Sequence, residues 1–507
     1  MTAGGLDRRA FLRRSAQAAV ALGSSGALLA ACSDSRHGDG AGATGTTSAP
    51  ATPTTLSAED AAKPWFLRGN FAPVTDEVEV TELRVRGSIP KELSGLYVRN
   101  GSNPLPGYAP HWFLGDGMVH GVLLDEGNAA WYRNRYVQTT LLAAGGGLAA
   151  AGAPGGAAGL SNVSVIHHAG KLLSLGEVGL PYELAPADLS TVGPYDFAGT
   201  VTGNVTAHPK IDPATGNMHF FGYNFTAPFL SYYVADASGA LVSAQGVEVG
   251  AASMIHDFAI TDRDVIFWEF PILFDFDLAL EMVSDPKSTV MPFVWTPSYG
   301  ARIGVMPLSG PTSAIRWVEI EPAYVFHGVN AYRDGSDVVV DVCHLDKVFS
   351  DGSALGPPPT LHRWRVDTAG TALTFRDDVL SDRPADLPSI DRRWTGRDYR
   401  HSWRVEVTPR TDTVEMRGVV HYDVQTGKEE RYDPGPSRSS GEWLFVPRGK
   451  REGDGFLVAY VYDASTDGSE LVILDAQDVG AGPLAAVTLP ARVPYGFHAT
   501  WVPAEAV

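Results

Sequence analysis

Thr206-Ala207-His208-Pro209-Lys210-Ile211-Asp212-Pro213-Ala214-Thr215-Gly216 runs almost directly into the apolar stretch Met218 to Phe225. Asp-Pro-Ala-Thr-Gly is a tight-turn sequence, because Pro presets φ at the second turn position and Gly supplies positive φ at the last. His208 therefore stands at the head of a β-hairpin. An apolar run ending in Asp and a turn recurs at Val122 to Asp125, Tyr233 to Asp236, Trp364 to Asp367, His421 to Asp423 and Ile473 to Asp475, with weaker copies at Tyr182 to Ala185 and Gly304 to Pro307. The gaps between these seven anchors are 60, 51, 71, 60, 56 and 52 residues. A unit of that length, holding about four short strands, is the signature of a β-propeller. A long sandwich would not give such even spacing. The expectation is an all-β chain folded as a seven-bladed propeller, with a solenoid or a multi-domain β assembly as the other architectures.

Four histidines share one phase within this repeat. Counted from the preceding anchor, His208 and His498 lie at 23 residues and His256 and His327 at 20. The innermost strand of each blade lines the propeller axis, so side chains at that phase converge on one point. Asp386 and Glu442 lie 19 residues past their anchors. Val163 reaches the same phase once the Gly/Ala-rich insert of 17 residues from Ala143 to Gly159 is discounted. A single histidine at a strand start is usually a satisfied structural residue; four in phase on different blades are harder to explain that way. The other histidines, among them His111, His120, His167, His168, His344 and His401, share no phase and read as structural or surface residues. Neutral imidazoles suit iron, copper, nickel and zinc, whereas structural zinc prefers cysteine and catalytic zinc commonly keeps three protein ligands. Carboxylates at the Asp386 and Glu442 positions could accept the other ring N–H, which fixes the tautomer and raises ligand basicity.

Composition bounds the remaining possibilities. The chain has 507 residues, 44% of them hydrophobic and 10% aromatic, enough for a large packed core. Its formal charge of −19 argues against a nucleic-acid partner. With only Cys32 and Cys343, neither a disulfide framework nor an all-cysteine metal site can be built. Asp7-Arg8-Arg9-Ala10-Phe11-Leu12-Arg13 resembles a twin-arginine export signal, followed by a short apolar segment that ends in the lipobox-like Leu29-Ala30-Ala31-Cys32. Residues 1–32 are thus expected to be a lipoprotein signal of twin-arginine type. It would leave the protein lipid-anchored through Cys32 at the outer face of the cytoplasmic membrane, with plain cleavage into the periplasm or medium as the alternative. Residues 33–63 are Gly, Ala, Ser, Thr and Pro with few large apolar side chains, and read as a flexible linker. The propeller is expected over residues 64–507.

Eight ordered motifs carry a specific resemblance. Trp65 to Pro73 (WFLRGNFAP), Gly95 to Pro104 (GLYVRNGSNP), Gly115 to His120 (GDGMVH), the AHPKIDPATG stretch, Ile255 to Ile260 (IHDFAI), Tyr324 to Tyr332 (YVFHGVNAY), Gly441 to Arg448 (GEWLFVPR) and Val493 to His498 (VPYGFH) together resemble the carotenoid cleavage oxygenases, a family that includes lignostilbene dioxygenases and the retinal pigment epithelium isomerase. The resemblance implies a seven-bladed propeller with a loop or helical cap, and a non-haem Fe(2+) held by His208, His256, His327 and His498. It implies three carboxylates behind the ligands: Glu177, Glu442 and, where relatives place Glu, Asp386. That side chain is one methylene shorter, so a bridging water to the imidazole is one expectation. Val163 matches a position whose methyl shields a coordination site, and Gly176, in place of a bulky aromatic, is expected to widen the cavity.

The implied reaction is O2-dependent cleavage of a conjugated C=C bond to aldehyde or ketone products. Trp112, Phe113, Phe220, Phe221, Tyr223 and Phe497 are candidate lining for a tunnel taking an apolar polyene, and the 141–160 insert is a candidate mouth at a membrane or else a surface loop. Stilbene cleavers of this family present a lysine where this chain reads Thr140-Leu141-Leu142, which favours a carotenoid or apocarotenoid substrate over a stilbene. Two readings of other classes are a calcium propeller lactonase or esterase, disfavoured because calcium takes oxygen ligands, and an exported propeller used only for binding.

Overall fold

In the computed structural model, which describes residues 62–147, 156–285, 287–350, 355–408 and 413–507, seven antiparallel sheets form the blades of a propeller. The signal and nearly all of the linker lie outside the described residues. All seven repeat anchors fall where the third strand of a blade ends, as at Leu230–Ala235 before Asp236 and Gly468–Asp475. The Asp212-to-Gly216 turn forms as expected: Lys210–Ile211 pairs with Met218–Tyr223, Gly216 has φ 72°, and Asp212 accepts the Ala214 N–H at 2.9 Å.

The ring closes by exchange between distant parts of the chain. Ala499–Pro503 supplies the innermost strand of the first blade, pairing with Gly95–Ser102. Arg84–Gly87 supplies the outermost strand of the seventh, pairing with Ala485–Thr488. Strands near the axis are buried on both faces, as in Met218–Tyr223 and Asp264–Glu269, while an outer strand such as Leu241–Val247 alternates exposed and covered residues.

Large side chains glue neighbouring blades. Trp403 of the sixth blade is fully buried and lies parallel to Phe445 of the seventh at 4.8 Å, and Trp268 of the fourth meets Trp364 of the fifth at 6.2 Å. Such pairs add about 0.5–1.5 kcal/mol each beyond the area they remove from water.

Antiparallel alternation sends every innermost strand in one direction, so the connections into the first strand and out of the second emerge at the same end of the ring. At that end lie the short helical turns Trp65–Leu67, Trp112–Leu114 and Thr140–Ala143, and an insert in the fourth blade made of the strand pair Ile272–Phe274 and Phe293–Trp295 with the helix Phe276–Ser284. Asp275 caps that helix by accepting from the N–H groups of Asp277 and Leu278. The 141–160 insert is described only in part, residues 148–155 lying outside the described set. No helix among the described residues is long and apolar enough to cross a membrane.

Candidate metal centre

The seven positions that share the inner phase all stand at the axial ends of the innermost strands. His498 precedes Ala499–Pro503, Val163 precedes Ser164–His168, His208 precedes Lys210–Ile211, and His256 precedes Ala259–Ile260. His327 and Asp386 lie within Tyr324–Asp334 and Ala385–Ile390, and Glu442 precedes Leu444–Pro447.

The four imidazoles meet. One ring nitrogen from each of His208, His256, His327 and His498 lies within 4.8 Å of all the others. Nε2 of His208 is 2.9 Å from Nε2 of His256, and the ring centroids of His208 stand 4.4, 5.3 and 4.6 Å from those of His256, His327 and His498.

Three of the four rings are backed by carboxylates on Nδ1. Glu442 Oε1 accepts from His498 at 3.0 Å while its Oε2 accepts the Ala499 N–H at 2.6 Å. Glu177 closes on His256 Nδ1, and its second oxygen accepts from the Tyr223 hydroxyl. Asp386 Oδ1 accepts from His327 at 2.8 Å, so no bridging water is needed. The shorter residue reaches because the strand is irregular there: the register shifts between Asp386 and Ser389, Leu387 has φ 51°, and Asp386 Oδ1 also accepts the Leu387 N–H at 2.8 Å. Val163 contributes its backbone, its carbonyl accepting the His498 N–H at 3.1 Å.

Burial and charge set the protonation states. Burial first, then the neighbouring imidazoles and Lys210, hold His208 well below the usual histidine range, so its ring is neutral at pH 7. Burial depresses His498 as well, against the pull of Glu442. At His327 burial pushes down, but the charge and hydrogen bond of Asp386 prevail and raise it. Burial raises Asp386 and Glu442, yet their partners hold both below the usual carboxylate range, so both are ionised. With Nδ1–H directed to a carboxylate, each backed ring turns its Nε2 lone pair to the common point. Nitrogen donors with anionic support behind them fit a divalent transition metal and are the wrong donor set for calcium.

The candidate lining residues separate into two groups. Trp112, Phe113 and Phe497 cluster beside the centre: Trp112 and Phe113 stand 4.6 and 5.8 Å from Phe497. They join Phe326 and Phe349, which the sequence reading missed, and Phe326 lies 5.3 Å from the His256 ring and 5.9 Å from Phe113. For Phe326 the signal was adjacency, since, like Phe497, it directly precedes a centre histidine; Phe349 carried no such signal. Phe220 and Phe221 instead point into two different inter-blade layers, Phe220 stacking on Phe197 and Tyr233 and Phe221 packing on Phe258 and Phe267. Tyr223 backs Glu177 from behind. Gly176 does not widen the cavity, because a Cβ there would stand 3.1 Å from the Ser161 backbone nitrogen; chain fills the space a side chain would take. Outside the centre, His120 and His219 bond to tyrosine hydroxyls, His362 to Asp377 and His401 to His421, in keeping with structural roles.

Fold and site together define a propeller oxygenase built around a tetra-histidine centre. A family model described as retinal pigment epithelial membrane protein matches residues 71–503. The chain belongs to this family, the carotenoid cleavage oxygenases. It is 35% identical over 505 residues to a carotenoid cleavage oxygenase of Mycobacterium tuberculosis, covering 89% of this chain and 99% of that protein. Among solved structures, the lignostilbene dioxygenase of Pseudomonas brassicacearum superposes with a TM-score of 0.79 at 29% identity, covering 87% of this chain and 99% of the other. A cobalt-substituted apocarotenoid oxygenase of Synechocystis gives 0.75 at 25% identity, covering 87% and 98%.

Proposed function

We propose that the protein is an Fe(2+)-dependent dioxygenase that cleaves a conjugated C=C bond of a carotenoid or apocarotenoid, one oxygen atom of O2 passing to each of two carbonyl products. The observation that carries this reading is the axial cluster of His208, His256, His327 and His498 with carboxylates on three of its rings, set against an aromatic wall. His208, His256, His327 and His498 would hold the iron(II), which would supply the electrons that let ground-state O2 react with an alkene. The protein's own part is positioning and exclusion of water. Phe326, Phe113, Phe497, Trp112 and Phe349 offer flat apolar faces beside the centre, suited to a conjugated chain held by stacking rather than by charge. Glu177, Asp386 and Glu442 keep the ring tautomers fixed through turnover, and to Val163, whose carbonyl accepts the His498 N–H, we assign the narrowing of access to something the size of O2.

The similarity to a lignostilbene dioxygenase keeps stilbenes as the second reading. Against it, Thr139 caps the short helix Thr140–Ala143, whose Leu141 and Leu142 are buried, so no cation faces a phenol from that place. The deciding experiment incubates anaerobically iron-loaded protein with an apocarotenal or a hydroxystilbene, admits O2, and identifies the aldehydes by mass. Aldehydes from the stilbene alone overturn the substrate assignment; no cleavage of either overturns the activity. We further propose export by the twin-arginine route and lipidation of Cys32, which palmitate labelling of the parent and of Cys32→Ala tests.

A further inference from the structure

Three centre histidines have a carboxylate on Nδ1, whereas among the described residues no carboxylate backs the His208 ring. Its blade is also weakly tied at the axis: Lys210–Ile211 forms two ladder pairs, and Ala259–Ile260 in the next blade forms two. On the fifth blade the register shifts on either side of Gly328, so the ladder does not hold His327 rigidly either. The segments bearing His208, His256 and His327 therefore need another tie.

Asp257 supplies one. Its side chain is 1% exposed, and its two oxygens reach all three segments. Oδ1 pairs with Lys210 Nζ at 2.7 Å, two residues past His208, and accepts the Phe258 N–H at 2.8 Å on its own segment. Oδ2 accepts the N–H of Gly328, the residue after His327, at 2.9 Å. Gly328 allows this approach: a Cβ there would stand 3.0 Å from the Trp268 ring and 3.6 Å from Asp257 Oδ2. Because carboxylate and ammonium cancel, the pair fixes geometry without changing the net charge around the centre.

We infer that Asp257, clamped by Lys210, is a positioning residue that sets the spacing of His208, His256 and His327 through the chain segments that carry them, a tie distinct from the ring hydrogen bonds of Glu177, Asp386 and Glu442. The inference rests on the metal-centre reading of the four histidines. Outer-shell partners of metal ligands change metal affinity by about ten- to hundredfold when removed, and Asp257 is expected to fall in that range.

The test is anaerobic titration of the full metal-free protein with Co(2+), reading affinity by chelator competition and coordination by the visible ligand-field bands. Asp257→Ala is expected to weaken binding about ten- to hundredfold and to shift the bands, while Asp257→Asn, whose carbonyl still accepts from Gly328, recovers part of both. Lys210→Met leaves the carboxylate bonds to Gly328 and Phe258 in place and loosens only the His208 side, so a smaller loss with shifted bands is expected; it decides the matter if Asp257→Ala does not fold. A role in folding alone would lower the unfolding temperature but leave the bands of the folded protein unchanged. Parent-like affinity and bands in folded Asp257→Ala, or in Lys210→Met where the former is insoluble, overturn the inference. Absence of Co(2+) binding by the parent instead overturns the metal-centre reading on which it stands.

Discussion

Replacing Asp386 by Asn is expected to weaken Fe(2+) binding about tenfold while leaving the propeller folded. The substitution keeps shape and one carbonyl oxygen. That oxygen corresponds to Oδ1, which accepts from both His327 Nδ1 and the Leu387 N–H at 2.8 Å, so both bonds survive. What disappears is the negative charge, and with it the difference between a charged and a neutral hydrogen bond. Bonds to charged groups contribute about 1.5–3 kcal/mol and neutral ones about 0.5–1.5. The difference, roughly 1–1.5 kcal/mol, corresponds to about a factor of ten in affinity. Competition between metal-free protein and a chromophoric Fe(2+) chelator under argon measures it, with urea unfolding as the control for folding. Asp386→Glu is expected to bind no better than the parent, because the extra methylene has to be accommodated in a contact already at 2.8 Å beside a buried Leu387. Parent-like affinity in Asp386→Asn would refute the argument that this carboxylate acts through its charge.

Burial pushes His219 down to about 4, below the roughly 6.5 of an unfolded chain. Its contribution to stability is therefore full above pH ~6.5 and falls as the pH drops toward the folded value, by up to about 3 kcal/mol; His219→Gln should flatten urea midpoints between pH 7.5 and 4.5. Trp403→Ala removes a fully buried ring that stacks on Phe445 and donates to the Ala476 carbonyl at 2.9 Å, and a loss of about 3–5 kcal/mol is expected by urea denaturation. Gly222→Ala would place a Cβ 1.8 Å from the Asn204 carbonyl oxygen. Backbone must move to admit it, so the thermal midpoint is expected to fall by several degrees or more, and an unchanged midpoint would contradict the packing described.

Much of this architecture was legible because a propeller writes the same local problem seven times. Each blade ends its third strand in a turn, so the anchors at Asp125, Asp236, Asp367 and their equivalents mark a period, and the axis fixes one phase within it. Glu177 escaped that phase because it follows the second strand of its blade, Lys171–Leu175, not the first; only the resemblance found it. The reach of Asp386 depends on the backbone irregularity at Leu387, and φ values are not written in side-chain order. Phe220 and Phe221 show the limit of alternation: neighbours on one strand face opposite ways, and in a propeller both ways lead between blades. Asp257 and Lys210 lie in the IHDFAI and AHPKIDPATG stretches, but nothing about their types distinguishes an interior clamp from ordinary surface charge.

The exchange of strands that closes the ring also orders events in time. His498 and the strand it introduces leave the ribosome after all the other centre histidines, and that strand docks against Gly95–Ser102, made hundreds of residues earlier. Until it docks, only three of the four imidazoles are available and Glu442 lacks its partner. Docking of that strand is one of the two exchanges that close the ring and also completes the nitrogen set, so the four-histidine centre is assembled only as the wall around it is put in place.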